Sequence, residues 1–156
     1  MKRFVIRHGH TGVTRDGRAA FGAAGPPLSK LGQKQAAELK QALLKLGVNF
    51  DTEPVAVSEF LRTKQTAQLA GFQNLHVSPV LNEIFTGMPG AELKALLELR
   101  QLPPIVIQKA RAILDNPPKE RVWITHGLVI MGLREVLGVK SDPFDPLHCS
   151  ILEVDG

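Results

Sequence analysis

Two arginines and two histidines are spaced so that they could bind and transfer a phosphoryl group. Arg7 and His8 follow the first short apolar run of the chain. His126 follows the fourth such run, and Arg62 lies about one helical turn after the second. A neutral imidazole is a competent nucleophile at physiological pH if its other ring nitrogen is held as N–H. The fork of an arginine guanidinium matches phosphate oxygens in geometry and charge, so the four residues together predict a phosphoryl site.

Glycines and one carboxylic acid complete this set. Gly9 and Gly127 each come directly after one of the two histidines, where glycine permits close approach of the backbone to a ligand. Gly127 also opens a predicted helix, whose N-terminal amides favour an anion. Glu83 follows the third apolar run. If these groups meet, the site holds two guanidiniums, two imidazoles and one carboxylic acid.

The order of elements predicts how these residues are brought together. Five short apolar runs alternate with segments of helical periodicity, which predicts an α/β protein with helices covering a mostly parallel sheet. Ligands of such sheets bind beyond the carboxyl ends of the strands, where the candidate residues stand. Ser29 is predicted as a helix N-cap and Gly47 as a helix stop. The predicted strands are 4–6, 55–57, 75–77, 122–124 and 151–154, and the predicted helices are 28–46, 60–70, 91–102, 105–114 and 128–137.

Length and composition indicate one globular domain spanning 1–156. The 156 residues are 44% apolar and 22% charged, which are ordinary globular values. A domain of this size buries roughly 70% of its unfolded surface and needs no disulfide or structural metal. The single cysteine, Cys149, excludes an internal disulfide and a cysteine zinc cluster. With no secretory signal and no apolar run long enough for a membrane helix, we expect a cytoplasmic protein without membrane contact.

The charge balance favours a small anionic partner over a nucleic acid. The chain carries 19 Lys+Arg against 15 Asp+Glu, a net charge of +4. Nucleic-acid binding would call for dense basic clusters interleaved with aromatic residues. The seven Phe and one Trp do not cluster with the basic residues, and there is no Tyr. A small phosphorylated metabolite, or a phosphoprotein, is the expected partner; the oligomeric state is left open.

Five ordered motifs resemble those of the histidine phosphatase superfamily, also called the phosphoglycerate-mutase-like family. The resemblance spans nearly the whole chain, and it implies a three-layer α/β/α sandwich that needs no cofactor and no metal. The motifs are R-H-G-x-T at Arg7, His8, Gly9 and Thr11, L-[ST]-x-x-G-x-x-Q-A at Leu28, Ser29, Gly32, Gln35 and Ala36, S-x-x-x-R-x-x-[QE]-T-A at Ser58, Arg62, Gln65, Thr66 and Ala67, L-x-E at Leu81 and Glu83, and H-G at His126 and Gly127.

The resemblance implies a role for each matched residue. His8 would be the nucleophile that becomes transiently phosphorylated. Arg7, Arg62 and His126 would hold the phosphoryl oxygens. Glu83 would protonate the leaving oxygen and then activate water. The further phosphate contacts implied are Thr11, Thr14 and Gly127.

Two positions depart from the family pattern, and several others are expected to play no chemical part. His10 stands where the family most often has Glu or Gln, and Thr14 stands where many members have Asn. Thr14 keeps a hydroxyl donor, so we expect altered phosphate contacts rather than their loss. The residues expected to be structural or solvated are His76, His148, Trp123 and Cys149, together with Arg15, Arg18 and Lys30 near the mouth of the site.

The leading prediction is a metal-independent phosphatase acting on a phosphomonoester. A phosphoglycerate mutase is the first alternative, but only 43 positions separate Glu83 from His126. The family's mutases use longer insertions there to protect the phosphohistidine from water, whereas this chain is predicted to carry a short cap around 85–118. A protein phosphohistidine phosphatase is also compatible with a short cap.

Two further alternatives come from other classes of protein. His8 and His10, completed by Asp16 or His126, could form the metal site of a hydrolase, although Arg7 beside them would repel a divalent cation. An inactive module could bind phosphate without turnover, but such a module would not require the nucleophile. Activity in the presence of a chelator, and turnover of an aryl phosphate, separate these alternatives from a phosphatase.

Overall fold

The protein forms a five-stranded sheet with helices on both faces. The computed structural model describes residues 1–155. The strand order is β3-β2-β4-β1-β5, in which the first four strands are parallel and β5 runs antiparallel to β1. The predicted α/β/α sandwich with a mostly parallel sheet is therefore confirmed. The strands are β1 (Lys2–Arg7), β2 (Pro54–Val57), β3 (Asn74–Val77), β4 (Val122–Thr125) and β5 (Ile151–Asp155).

Each face of the sheet is covered by its own group of helices. The α-helices are α1 (Lys30–Lys45), α2 (Leu61–Ala70), α3 (Gly90–Glu98), α4 (Pro104–Asp115) and α5 (Gly127–Leu137). Phe4 and Ile6 point to the face covered by α1 and α2, whereas Val5 between them points to the face covered by α3, α4 and α5. Both faces of the central strands are buried, which explains why these strands are apolar without alternation.

The ends of the helices follow local chemistry. Ser29 caps α1 as predicted, because its Oγ accepts a hydrogen bond from the amide of Gly32. The helix predicted over 91–102 ends earlier, at Glu98. Arg100 there adopts a left-handed conformation with a φ of 56°, and its amide donates to the carbonyl of Leu97, which closes the helix.

The segment predicted as a cap sends several side chains into the core. Leu93 and Leu97 of α3 and Val106 of α4 are buried in the same apolar cluster as α5. No helix within residues 1–155 is long and apolar enough to cross a membrane.

Candidate active site

The carboxyl ends of β1 and β4 place two imidazole rings side by side. In the parallel register Arg7 pairs with Thr125, and the amide of His8 donates to the carbonyl of Thr125 at 3.0 Å. His8 and His126 therefore leave the sheet together, each one residue after its strand. Their ring centroids lie 5.1 Å apart, and both side chains are buried.

His8 is held as a neutral imidazole with one nitrogen directed at a cation. Its Nδ1 lies 2.7 Å from the carbonyl oxygen of Gly9 and must donate to it, so Nδ1 carries the hydrogen. Its Nε2 accepts a hydrogen bond from Nε of Arg62 at 3.2 Å. Burial, followed by the charge of Arg62, lowers the pKa of His8 well below its usual value of 6.5. The lone pair of Nε2 is therefore available across the physiological pH range.

Arg62 reaches His8 from the first turn of α2. This helix begins after β2, and the Arg62 guanidinium packs 4.6 Å from the ring centroid of Phe60. Only 1% of Arg62 is exposed, and burial together with the charge of Arg18 lowers its pKa to about 10. Arg62 therefore stays charged at neutral pH. Its Nη1 is buried without a hydrogen-bond partner among the described residues.

His126 is fixed by the hydroxyls of Ser58 and Thr63. Its Nε2 is hydrogen-bonded to Oγ of Ser58 at 2.8 Å, and Ser58 Oγ also bonds Thr63 Oγ1 at 2.9 Å. Burial, followed by the neighbouring His8, lowers the pKa of His126 well below 6.5. Its Nδ1 has no hydrogen-bond partner in the described chain. Ser58 thus orients the ring so that one nitrogen is left for a ligand.

Arg7 is anchored by the segment that leads into β5. Its Nη1 donates to Asp145 at 3.1 Å and to the carbonyl of Pro146. The guanidinium also packs on the backbone of Gly127, where a Cβ would lie 3.2 Å from its central carbon. A side chain at position 127 would therefore push the Arg7 guanidinium by a few tenths of an ångström. The Nε of Arg7 is a further buried donor without a partner among residues 1–155.

The unpartnered nitrogens form a set suited to an anion. A buried polar group without a hydrogen bond costs about 1–3 kcal/mol, so native structures rarely keep several in one place. Here Arg7 Nε, Arg62 Nη1 and His126 Nδ1 all belong to side chains that surround His8. Phosphoryl oxygens are acceptors of the kind that these nitrogens lack. The arrangement can therefore bind a phosphoryl group beside the nucleophilic nitrogen of His8.

Glu83 lies on a cavity that opens from the Arg62 guanidinium. The cavity measures about 340 Å³ and is lined by both residues as well as by Arg18. One carboxylate oxygen of Glu83 accepts a hydrogen bond from the amide of Ile84 at 3.0 Å. The positive charges of Arg7, Arg18 and Arg62 all interact with the Glu83 carboxylate. The structure thus places Glu83 on the open side of the site, apart from the two histidines.

The predicted phosphate contacts Thr11 and Thr14 lie on a second cavity. This cavity measures about 280 Å³ and also receives Arg7, His10 and His148. Thr11 Oγ1 accepts a hydrogen bond from the amide of Val13 at 3.3 Å. Thr14 Oγ1 accepts from the amide of Gly17 at 3.2 Å. Each hydroxyl oxygen therefore stabilises its own loop, and its O–H hydrogen is left to donate to a phosphoryl oxygen.

Arg15 and Arg18 line both cavities and so form the wall between them. The sequence pattern, a polar and glycine-rich stretch, predicted solvated side chains there. The structure instead forms a 3-10 helix over Asp16–Phe21 and half-buries Arg18, and burial lowers its pKa. No signal in the sequence indicates this, because the turn depends on contacts with distant residues such as Gly90, whose amide donates to Asp16 at 3.1 Å.

His148 is a site residue that the sequence did not predict. Its ring centroid lies 5.8 Å from that of His8 and 5.3 Å from that of His10. Its Nδ1 donates to the carbonyl of His8 at 3.3 Å. Burial lowers the pKa of His148 to about 4, so it is neutral at physiological pH. It reaches the site because the next residue, Cys149, donates its amide to the carbonyl of Arg7.

Two glycines in the matched motifs are required by packing. Gly9 and Gly32 lie back to back, because a Cβ on Gly9 would stand 2.7 Å from the Gly32 carbonyl oxygen. A Cβ on Gly32 would overlap the carbonyl oxygen of His10. The start of α1 thus presses against the loop that carries His8, which explains the position of Gly32 in its motif.

Gly25 is expected to support Arg62 directly. It has a φ of 76°, and a Cβ there would lie 2.8 Å from Arg62 Nη1. Gly25→Ala should therefore displace the guanidinium and lower kcat/KM about 10- to 100-fold, the cost of misplacing a catalytic group by about 1 Å. The matched control is Gly138→Ala, since Gly138 has a φ of 70° but open space around it. Both variants should lose similar stability in urea titrations; equal activity in both would contradict a role for Gly25 at Arg62.

The donor sets considered for a metal hydrolase are not assembled. His8 directs one nitrogen at the Gly9 carbonyl and the other at the Arg62 guanidinium. Asp16 lies at the amide of Gly90 instead of beside His8 and His10. The described residues contain no group of three His, Cys, Asp or Glu side chains placed to hold a metal ion.

Solved structures similar to this one share its fold over almost its entire length. TTHB049 from Thermus thermophilus is 29% identical, with a TM-score of 0.71 over 99% of this chain and 94% of that chain. Rv3214 from Mycobacterium tuberculosis is 23% identical, with a TM-score of 0.66 over 97% of this chain and 89% of that chain. A mycobacterial glucosyl-3-phosphoglycerate phosphatase, Rv2419c, solved in complex with VO3, is 17% identical, with a TM-score of 0.63 over 99% and 91% of the two chains.

The sequence itself matches one family model. A search of curated proteins found no significant match. The model of the histidine phosphatase superfamily (branch 1) matches residues 4–103, which contain Arg7, His8, Arg62 and Glu83. The resemblance inferred from the motifs is confirmed: the chain belongs to the histidine phosphatase superfamily, branch 1.

Proposed function

We propose that this protein is a phosphatase that hydrolyses a phosphomonoester through a phosphohistidine on His8, without a metal ion. The observation that carries the proposal is the state of His8: its Nδ1–H is held by Gly9, and its Nε2 faces Arg62 among unpartnered nitrogens of Arg7, Arg62 and His126. A nucleophile and an anion site are thereby combined in one place. We propose a small phosphorylated metabolite as the substrate and the cytoplasm as the location.

The first step transfers the phosphoryl group to the enzyme. Nε2 of His8 attacks phosphorus, and the bond between phosphorus and the ester oxygen breaks. Glu83 gives its proton to the departing oxygen, so an alcohol leaves. Arg62 Nε, which donates to His8 Nε2 before the reaction, must donate to a phosphoryl oxygen instead once the substrate is bound. Arg7 and His126 bind the remaining phosphoryl oxygens. These donors act where negative charge develops, which is where they lower the barrier most.

The second step returns the enzyme to its starting state. A water molecule attacks phosphorus and loses a proton to Glu83. The bond between phosphorus and Nε2 breaks, its electron pair returns to His8, and inorganic phosphate departs. The location of Glu83 on the cavity that also receives Arg62 supports a role for its carboxyl group in both steps.

Hydrolysis is favoured over phosphoglycerate mutase activity by the exposure of the cavity. A mutase must keep water from the phosphohistidine, whereas Phe85 at the rim of the cavity is 90% exposed. The helices that could form a lid, α3 and α4, pack into the core. A screen of phosphometabolites and phosphohistidine proteins in chelator tests the proposal. Release of inorganic phosphate from a phosphomonoester supports it, whereas isomerised product, turnover of phosphohistidine proteins alone, or no turnover without metal contradicts it.

Glu83→Gln should affect substrates according to their leaving groups. A general acid matters most when the departing oxygen is a poor leaving group, because the proton then offsets a large developing charge. The variant should lose about 100-fold or more in kcat/KM on alkyl phosphates and far less on nitrophenyl phosphate. The measurement is kcat/KM across a series of phosphomonoesters with increasing leaving-group pKa.

The matched control for that series is Glu59→Gln. Glu59 is exposed and its carboxylate accepts from the side chain of Asn82, outside the cavity. The control should keep the dependence of the wild type on the leaving group. If Glu83→Gln and the wild type show the same slope, Glu83 is not the acid.

A further inference from the structure

The wall of the cavity next to Glu83 is apolar. Directly after Glu83 the chain places Ile84, Phe85 and Met88 along the cavity, and Leu93 of α3 continues this surface. The lining also includes Arg15 and Arg18, which are shared with the second cavity that receives Arg7. The cavity is thus cationic where it approaches the phosphoryl site and apolar where it leads away from it.

Phe85 is an unusual residue to find unburied. It is 90% exposed and is the most exposed large apolar side chain of the described residues. Ile84 and Leu93 are buried in the core cluster, and Met88 packs against that cluster, but Phe85 belongs to neither group. Folding therefore gains nothing from a phenylalanine at this position. A ligand that covered the ring would gain the free energy of burying it.

The position of the acid determines which part of a substrate meets this wall. The departing oxygen must come within hydrogen-bond reach of Glu83. The carbon skeleton attached to that oxygen then extends along the residues that flank Glu83 in the cavity, which are Ile84, Phe85 and Met88. A cavity of about 340 Å³ is of the size that holds a small molecule.

We infer that the leaving group of the natural substrate is an apolar alcohol or phenol, and that Phe85 selects it. This inference rests on the proposed function, since it concerns the part of the phosphomonoester that departs. Phe85 would act as a specificity residue by covering the apolar group, and it would take no part in phosphoryl transfer.

The test is a series of ethyl, butyl and hexyl phosphate. The three leaving alcohols differ little in pKa, so differences in kcat/KM report contact with the carbon chain. In the wild type we expect kcat/KM to rise about two- to fourfold for each added methylene, as burial of apolar surface predicts. Phe85→Ala should remove at least half of that rise on a logarithmic scale, and Phe85→Leu should retain most of it.

The controls separate loss of contact from general damage. Leu99→Ala removes another exposed apolar side chain, at the end of α3 and outside the cavity, and should keep the wild-type slope. A structural defect in Phe85→Ala would lower kcat/KM for all three substrates by the same factor. The dependence of kcat/KM on chain length would then be unchanged, and this result would overturn the inference.

Three further outcomes are decisive. A hexyl phosphate with a carboxylate at its far end should react more slowly than hexyl phosphate; a faster reaction would mean that Arg15 and Arg18 select an anionic leaving group, and would overturn the inference. If all three alkyl phosphates form a phosphoenzyme but kcat/KM does not depend on chain length, the inference is overturned and the proposed function stands. No phosphoenzyme from any of them or from an aryl phosphate would overturn both.

Discussion

His8→Asn should lower turnover by about 10⁴-fold or more, the scale seen when an enzyme loses its nucleophile. The amide of Asn can still donate to the carbonyl of Gly9, as Nδ1 of His8 does now. The nitrogen corresponding to Nε2 is absent, so no bond to phosphorus can form. The measurement is kcat on an aryl phosphate, together with circular dichroism to confirm that the variant is folded.

His76→Asn is the matched control for this variant. His76 lies in the edge strand β3, away from the site. Like His8, it forms a hydrogen bond through Nδ1, which lies 3.0 Å from a carboxylate oxygen of Glu120. This control should keep near wild-type turnover. Near-normal turnover in His8→Asn would contradict the assignment of the nucleophile.

Arg62→Lys should cost about 100-fold in kcat/KM although it keeps the positive charge. The guanidinium donates from Nε to His8 and leaves Nη1 free for a phosphoryl oxygen, and a single ammonium cannot do both in this geometry. Lysine also loses the planar stacking on Phe60. The measurements are kcat/KM and the competitive inhibition constants of phosphate and vanadate, and inhibition by both anions should weaken.

Arg111→Lys is the control for the charge-conserving change. Arg111 is an exposed residue of α4 and lines none of the cavities described above. Its substitution should leave activity and vanadate inhibition unchanged. Unchanged vanadate affinity in Arg62→Lys would mean that Arg62 does not contact the phosphoryl group.

The centre of the site could be predicted from the sequence because it depends on the strands. Arg7, His8 and His126 each follow an apolar run, and the carboxyl ends of neighbouring parallel strands must meet. Arg62 was predictable for a related reason, since it lies one turn into the helix after β2. The motif spacing then identified the family.

The rest of the site depends on contacts between distant segments. His148 arrives with the antiparallel strand β5, after an irregular stretch whose path no periodicity indicates. Arg18 sits on a short 3-10 turn within a glycine-rich loop, which the sequence pattern could not distinguish from a solvated loop. The predicted end of α3 at residue 102 lies beyond its actual end at Glu98. A left-handed Arg100 closes the helix, and the sequence does not indicate this because few non-glycine residues adopt that conformation.

The measurement that tests the central claim most directly is rapid-quench labelling of the wild-type protein with a radioactive phosphomonoester in the presence of a chelator. The account predicts a transient phosphoryl adduct that is labile in acid and stable in base, located by mass spectrometry on His8 and absent from His8→Asn. A phosphoryl label on any other residue, or steady hydrolysis without a labelled enzyme, would contradict the phosphohistidine mechanism.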